Sequence, residues 1–323
     1  MGADHIQRLH HRISGAEVAA VVDIDADRAR AAIEGIPGAV ALADATEAMD
    51  NGDVNAVLLA TPGFLHLDIL LAALERDLPI LCEKPLTPDS ASSWEIVEAE
   101  EKLGRQRIQV GFMRRFDAEY AQLERTIRSG DFGELLMLHH QHRNPDTPAG
   151  FTNEMLINDS VVHEFDAVRF FTGEEITSVQ VRLGKATRNA PNGQHDPQHV
   201  LLETESGVLA DVEIYVNAQF GYEVATQASL ETGIVSIGND AGPFVRTAGR
   251  WGGTVTPGFE QRFGAAYDVE IQAWVDAAAR GEIGGPSAWD GYATAACCEA
   301  GVEAQRTGEK VAVALKPKPA LYA

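Results

Sequence analysis

The strongest constraint on the fold is an alternation that runs from residue 17 to residue 112. "EVAAVVD" (17–23) is a short β-branched run, and the "DADRARAAIEG" that ends at Gly35 reads as a helix with an acidic start and a glycine stop. "VNAVLLAT" (54–61) predicts a second, buried strand, and "GFLHLDILLAALERD" after it carries apolar residues at helical spacing. "PILCEK" (79–84) predicts a third strand, a helix is expected from about Asp89 to Gly104, and "RIQVGF" (107–112) predicts a fourth strand. Strands that alternate with helices build a parallel sheet covered on both faces, so this region is α/β and doubly wound.

After residue 111 the rhythm changes. A helix around 117–129 precedes a long strand, "ELLMLHHQHR" (134–143), and a loop with Pro145 and Pro148 leads to a helix near 160–172. The runs "ITSVQVRLG", "QHVLLETESGVLADVEIYV" and "YEVATQASLETGIVSIG" follow, with turns such as Glu205-Ser206-Gly207 that join strands antiparallel. Two helices close the chain, "AYDVEIQAWVDAAARG" and "AWDGYATAACCEAGVEAQRTG". The pattern predicts two domains, 1–113 doubly wound and 114–323 an α+β domain with an open, largely antiparallel sheet.

Composition excludes several function classes. The 323 residues are 45% apolar and 23% charged, which is ordinary for a globular chain. No apolar run is long enough to span a membrane, and the polar "MGADHIQRLHHRI" is unlike a signal peptide. Cys82, Cys297 and Cys298 have no metal-like spacing and form no disulfide framework, which suits a reducing compartment; the expected location is cytoplasmic. With 26 basic and 48 acidic residues the net charge is −22. That field repels nucleic acid and acidic membranes and favours neutral or cationic small partners.

Three places carry chemistry. The first is "PILCEKPLTPD" (79–89), where a buried strand ends in Glu83 and Lys84 and the backbone is then restricted by Pro85 and Pro88. A solvated strand end is the plain reading; a carboxylate and an ammonium delivered to a cleft is the functional one.

The second place is the start of the chain. A doubly wound sheet binds a dinucleotide at a G-x-G-x-x-G turn between its first strand and first helix, with an acid on the ribose about 20 residues on. Gly2 opens an amphipathic helix with Ile6, Leu9 and Ile13 on one face and fits the third glycine, and Asp23 follows 21 residues later. The first strand and the other two glycines are not in this chain, so about ten to fifteen residues carrying them are expected upstream, by analogy with that unit. An acid at Asp23 favours NAD over NADP, because a 2′-phosphate would meet like charge.

The third is "NDSVVHEFD" (158–166), where Asp159 and His163, four apart, face the same way on a helix. A carboxylate that holds an imidazole prepares a general base; a helix cap beside an ordinary histidine is the alternative. The histidines of "HHQHRNP" (139–145) resemble a metal cluster, but His140 and His142 share a strand face with no expected carboxylate partner, so no metal is expected.

In this order, "ATPGFLH", "CEKPL", "GFMRRFD", "HRNP" and "NDSVVHEFD" closely resemble the glucose–fructose oxidoreductase/inositol dehydrogenase/MocA family over nearly the whole chain, and most of all its inositol 2-dehydrogenase branch. The resemblance implies a Rossmann-type first domain and NAD-dependent oxidation of a hydroxyl of a cyclic polyol or sugar. It further implies that Lys84 hydrogen-bonds the reacting hydroxyl, that His163 removes its proton and that Asp159 orients His163. By the same resemblance Thr61, Pro62, His66 and Glu83 line the cofactor side, and Arg114, His142, Asn144 and Tyr222 of "FGYE" contact other hydroxyls. Cys297 and Cys298 would be packing residues. Family members commonly form tetramers through the open face of the second sheet, so a homo-oligomer, tetramer or dimer, is expected. Another sugar or amino-sugar dehydrogenase, an NAD-dependent glycosidase and a non-catalytic NAD-binding sensor stay open as alternatives. A sensor has no need of Lys84, Asp159 and His163 together.

Overall fold

The structure is a computed structural model and describes residues 1–191, 193–238 and 245–323. The chain divides into two compact units. The first comprises Met1–Phe112, Tyr267–Ala295 and Lys316–Ala323, and the second Met113–Ala266 and Ala296–Leu315. Each therefore draws on a late segment that a boundary at 113/114 assigns wholly to the C-terminal half.

The first unit contains α1 (Gly2–His11), β1 (Ala20–Val22), α2 (Ala26–Ala32), β2 (Val40–Leu42), α3 (Ala45–Met49), β3 (Val57–Leu59), α4 (His66–Glu75), β4 (Ile80–Glu83), α5 (Ser90–Leu103) and β5 (Ile108–Gly111). Helix boundaries follow local chemistry. The Asp25 and Asp89 side chains accept the N–H groups that open α2 and α5, and Gly104 ends α5 at φ 75°. All strand pairs are parallel, in two pieces, β1–β2 and β3–β4–β5. β2 and α3 had no counterpart in the sequence reading. "VAL" and "ATEAM" are too short for a periodic signal, and pairing of Val40 with Ala20 is what makes the strand. β4 is the buried centre of its sheet: Ile80, Leu81 and Cys82 are 0%, 2% and 0% exposed. Burying such aliphatic side chains contributes roughly 1.5–3 kcal/mol each. Leu81 also packs with Ile13, Ile271, Trp274 and Val275, so the segment just after α1 and a late helix share one core with the strand.

The second unit is built on a seven-stranded sheet. Its elements are α6 (Ala118–Ser129), β6 (Leu135–Arg143), α7 (Val162–Thr172), β7 (Ile176–Leu183), β8 (Gln198–Thr204), β9 (Leu209–Tyr215), β10 (Glu223–Leu230), β11 (Ile234–Ile237) and the hairpin β12 (Val245–Thr247) and β13 (Arg250–Gly252). Two long helices, α8 (Phe259–Ala279) and α9 (Ala288–Thr307), contribute residues to both units, and β14 (Lys310–Ala312) completes the sheet. The order is β11-β10-β6-β9-β8-β7-β14, and every pair is antiparallel except β6–β9. Along β6 the residues alternate: Leu138, His140 and His142 are buried, while Met137, His139 and Gln141 face the other side and are half-buried. Tyr120 of α6 and Phe171 of α7 stack 5.6 Å apart, and His140 of β6 lies over Phe171, so these helices cover the inner face. No described helix is long and apolar enough to cross a membrane.

Candidate active site

In the first unit the site residues sit where the parallel strands end. This is the side on which open α/β sheets bind ligands. Lys84 follows β4 directly, is half-buried, and its peptide bond to Pro85 is cis. The preceding Glu83 is 8% exposed, and its Oε1 accepts a hydrogen bond from Nε2 of the buried His5 at 2.7 Å. A Cβ on Gly111 would lie 3.0 Å from Glu83 Oε2, so β5 passes close beneath this carboxylate.

His66 is fully buried, with Nδ1 2.9 Å from the Pro85 carbonyl oxygen and Nε2 2.8 Å from that of Thr61. The ring thus ties the turn after β3 to the turn that carries Lys84. It acts as a clamp between main chains. Gly63 serves the same closeness, since a Cβ there would come within 3.0 Å of Pro85 Cγ. Pro62 opens the short 3₁₀ turn Gly63–Leu65.

Asp23 lies just past β1, and its Oδ1 accepts from Arg28 Nη2 at 2.7 Å and from the Asp25 N–H at 2.8 Å. The Arg28 hydrogen bond, then the Asp25 N–H, hold this carboxyl below its ordinary range. A Cβ on Gly2 would lie 3.9 Å from Ala60 Cβ, an ordinary contact, so the packing of α1 does not require glycine there. These residues fit a dinucleotide. Three strand ends present Asp23, Thr61–Pro62 and Lys84, and the buried Thr61 Oγ1 has no partner among the described residues.

In the second unit, Asp159 lies in the π-helical turn Leu156–Val161, and His163 lies in the first turn of α7. Such turns recur at functional sites. Asp159 is exposed and His163 half-buried.

Arg114, in the 3₁₀ turn Met113–Phe116, is 2% exposed and donates from Nη1 to Glu164 Oε1. His142 places Nδ1 3.0 Å from Glu164 Oε2, and its ring meets that of Tyr222 edge-on at 6.3 Å. Burial alone would raise the Glu164 carboxyl, but the charges of Arg114 and His142, together with their hydrogen bonds, outweigh it and hold the group at about 2. Arg114 in turn is raised by Glu164 against the opposing effect of burial, and burial pushes the Tyr222 phenol up.

Asn144 is anchored by its main chain, its N–H donating to Tyr215 and its carbonyl accepting from Ala218. Its buried Oδ1 has no partner among the described residues. Arg114, His142 and Tyr222 thus lie together around Glu164, a buried carboxylate that sequence reading missed. In "VHEFDAVRFF" both Glu164 and Asp166 look like helix-surface acids, yet they are 0% and 1% exposed. Glu164 takes Arg114, and Asp166 takes Arg115 at 3.0 Å. Two adjacent arginines ahead of that helix were the available signal, because buried guanidinium groups demand carboxylates.

The expectation that His142 lacks a carboxylate partner is corrected by the same bond. The neighbouring His140 instead meets Thr226 Oγ1 at 2.9 Å. Among the described residues no group of three or more His, Cys, Asp or Glu is arranged to hold a metal. Cys297 and Cys298 are buried, and burial pushes the Cys297 thiol up to about 12.

Residues 1–112 match the model of the oxidoreductase family GFO/IDH/MocA, NAD-binding Rossmann fold, and residues 120–236 match the GFO/IDH/MocA C-terminal domain. The chain belongs to this family. It is 82% identical over 322 residues to a protein of Arthrobacter sp. (strain FB24) named inositol 2-dehydrogenase, covering 100% of this chain and 96% of the relative. A protein of Pseudarthrobacter chlorophenolicus with the same name is 83% identical over 322 residues, with the same coverage. Among solved structures, myo-inositol dehydrogenase from Lactobacillus casei, in complex with NAD(H) and myo-inositol, superposes with a TM-score of 0.97 at 35% identity, covering 100% of this chain and 96% of that one. Family membership makes the chain an oxidoreductase with a Rossmann-like NAD-binding domain and a C-terminal domain built on a mixed sheet.

Proposed function

We propose that this protein oxidises one hydroxyl of an inositol-like cyclic polyol to a ketone, with NAD as the hydride acceptor. The observation that carries this reading is full-length likeness. Identity reaches 82% to a protein named inositol 2-dehydrogenase, and the TM-score is 0.97 to a dehydrogenase structure containing NAD(H) and myo-inositol. When bound, the nicotinamide supplies the two-electron acceptor for the hydride leaving the substrate carbon. Lys84 donates a hydrogen bond to the reacting oxygen and offsets the charge that develops there. His163 accepts the hydroxyl proton, and Asp159 holds the ring for that transfer. Arg114, His142, Asn144 and Tyr222 bind the remaining hydroxyls, while Thr61 and Pro62 flank the cofactor. His66 and Glu83 support the turns that carry this machinery, and Gly2 lies at the cofactor side.

Asp23 binds the adenosine ribose and disfavours NADP. Residues 1–113 serve as the cofactor domain, and 114–323 as the domain for substrate and assembly. The working form is a cytoplasmic homo-oligomer, a tetramer or dimer. The test is reduction of NAD by the purified protein with myo-inositol, scyllo-inositol and open-chain polyols, with His163→Ala as the control. NADH formed with an inositol by the native protein alone supports the proposal. Failure of every cyclic polyol to reduce NAD overturns it.

A further inference from the structure

We infer that Glu164 is a positioning residue: by taking the proton-bearing Nδ1 of His142, it leaves Nε2 of that ring as a hydrogen-bond acceptor for a substrate hydroxyl. The inference rests on the polyol reading above and adds the direction of the hydrogen bonds. Glu164 is 0% exposed and has two partners, Arg114 on Oε1 and His142 on Oε2. With its carboxyl held at about 2 it is ionised and has no hydrogen to donate. A ring nitrogen 3.0 Å from it must therefore carry the proton, since two facing lone pairs would repel. Arg114 Nη2 also approaches this nitrogen, at 3.3 Å, but the carboxylate contact is the shorter one and Arg114 already has an acceptor in Glu164 Oε1. In its neutral form the imidazole has one N–H, so with Nδ1 protonated the lone pair of that form sits on Nε2.

Asn144 extends the pattern. It follows the end of β6, two residues after His142, and its buried Oδ1 has no partner among the described residues. Two such acceptors in one site would select a ligand that offers two hydroxyl hydrogens, and would disfavour ethers or keto groups at those positions. Glu164 touches no substrate in this scheme. It acts through His142 and, by neutralising Arg114, keeps a buried guanidinium tolerable.

The decisive measurement is long-range ¹H–¹⁵N NMR of the native full-length protein labelled in histidine, with His142 assigned by the signal lost in His142→Gln. A protonated Nδ1 and bare Nε2 is the expected result, and a protonated Nε2 in the neutral ring overturns the inference without any variant at Glu164. Kinetics give a second reading. The amide introduced by Glu164→Gln can donate its hydrogens to Nδ1 and so reverse the tautomer. Glu164→Gln is then expected to raise KM for the polyol roughly tenfold with kcat and KM for NAD little changed, and Glu164→Asp to recover part of the loss. A folded Glu164→Gln protein with unchanged polyol KM also overturns it. A native protein with the expected tautomer that reduces no NAD with any cyclic polyol sinks the proposed function and leaves the assignment of His142 standing.

Discussion

His140 is expected to make the protein lose stability between neutral and mildly acid pH in a way one substitution removes. The side chain is 2% exposed on the inner face of β6, stacked on Phe171 with planes 11° apart and with Nδ1 2.9 Å from Thr226 Oγ1. Its Nε2 is buried without a partner among the described residues, so a proton added there would be an unsolvated charge. Burial, the largest influence, pushes this imidazole down to about 4, while an unfolded chain leaves it near ~6.5. Between those values the unfolded state binds the proton and the folded state does not, so stability falls as pH falls through that window. At up to ~1.4 kcal/mol per pH unit, the cost accumulated from pH 7 to pH 5 is about 2 kcal/mol. Urea unfolding at fixed protein concentration, for the native protein and His140→Gln, isolates it, because every carboxylate contributes alike to both. The native protein is expected to lose about 2 kcal/mol more than the variant over that interval. Parallel losses in the two proteins would refute the reasoning.

Two further outcomes follow from the first unit. Lys84→Ala is expected to lower kcat by roughly 10²–10³ while NAD affinity, read by fluorescence titration, stays close to native; near-native turnover would remove Lys84 from the chemistry. Asp23→Ser is expected to raise the NADP-to-NAD preference on the order of tenfold to a hundredfold, because it removes a charged hydrogen-bond acceptor for the ribose and releases Arg28 for a 2′-phosphate. Equal ratios of kcat/KM in mutant and parent would place Asp23 away from the ribose.

The sequence by itself determined the features whose causes are local. Asp89 and Gly104 bound α5, and Asp117 and Gly130 bound α6, through hydrogen bonds and a left-handed residue reaching no further than one turn. The apolar run ending at Glu83-Lys84-Pro85 was legible as a buried strand delivering charge to its tip for the same reason, and period-two runs announced β7 to β11. What the chain pairs across long separations was settled only by the tertiary structure. β6–β9 is the one parallel pair in its sheet. Its register, from Met137–Leu209 to Arg143–Tyr215, is set by which inner faces share a core, something no local pattern encodes.

The site shows the same division. Asp159 and His163 could be proposed from sequence because they stand four apart, whereas Glu164 meets partners 22 and 50 residues away, and His66 meets a carbonyl 19 residues on. A buried carboxylate and a surface one are spelled alike in sequence. Only the packing of α7 against β6 and the turn at Met113–Phe116 takes Glu164 out of water, and the resulting desolvation makes Arg114 and His142 obligatory partners.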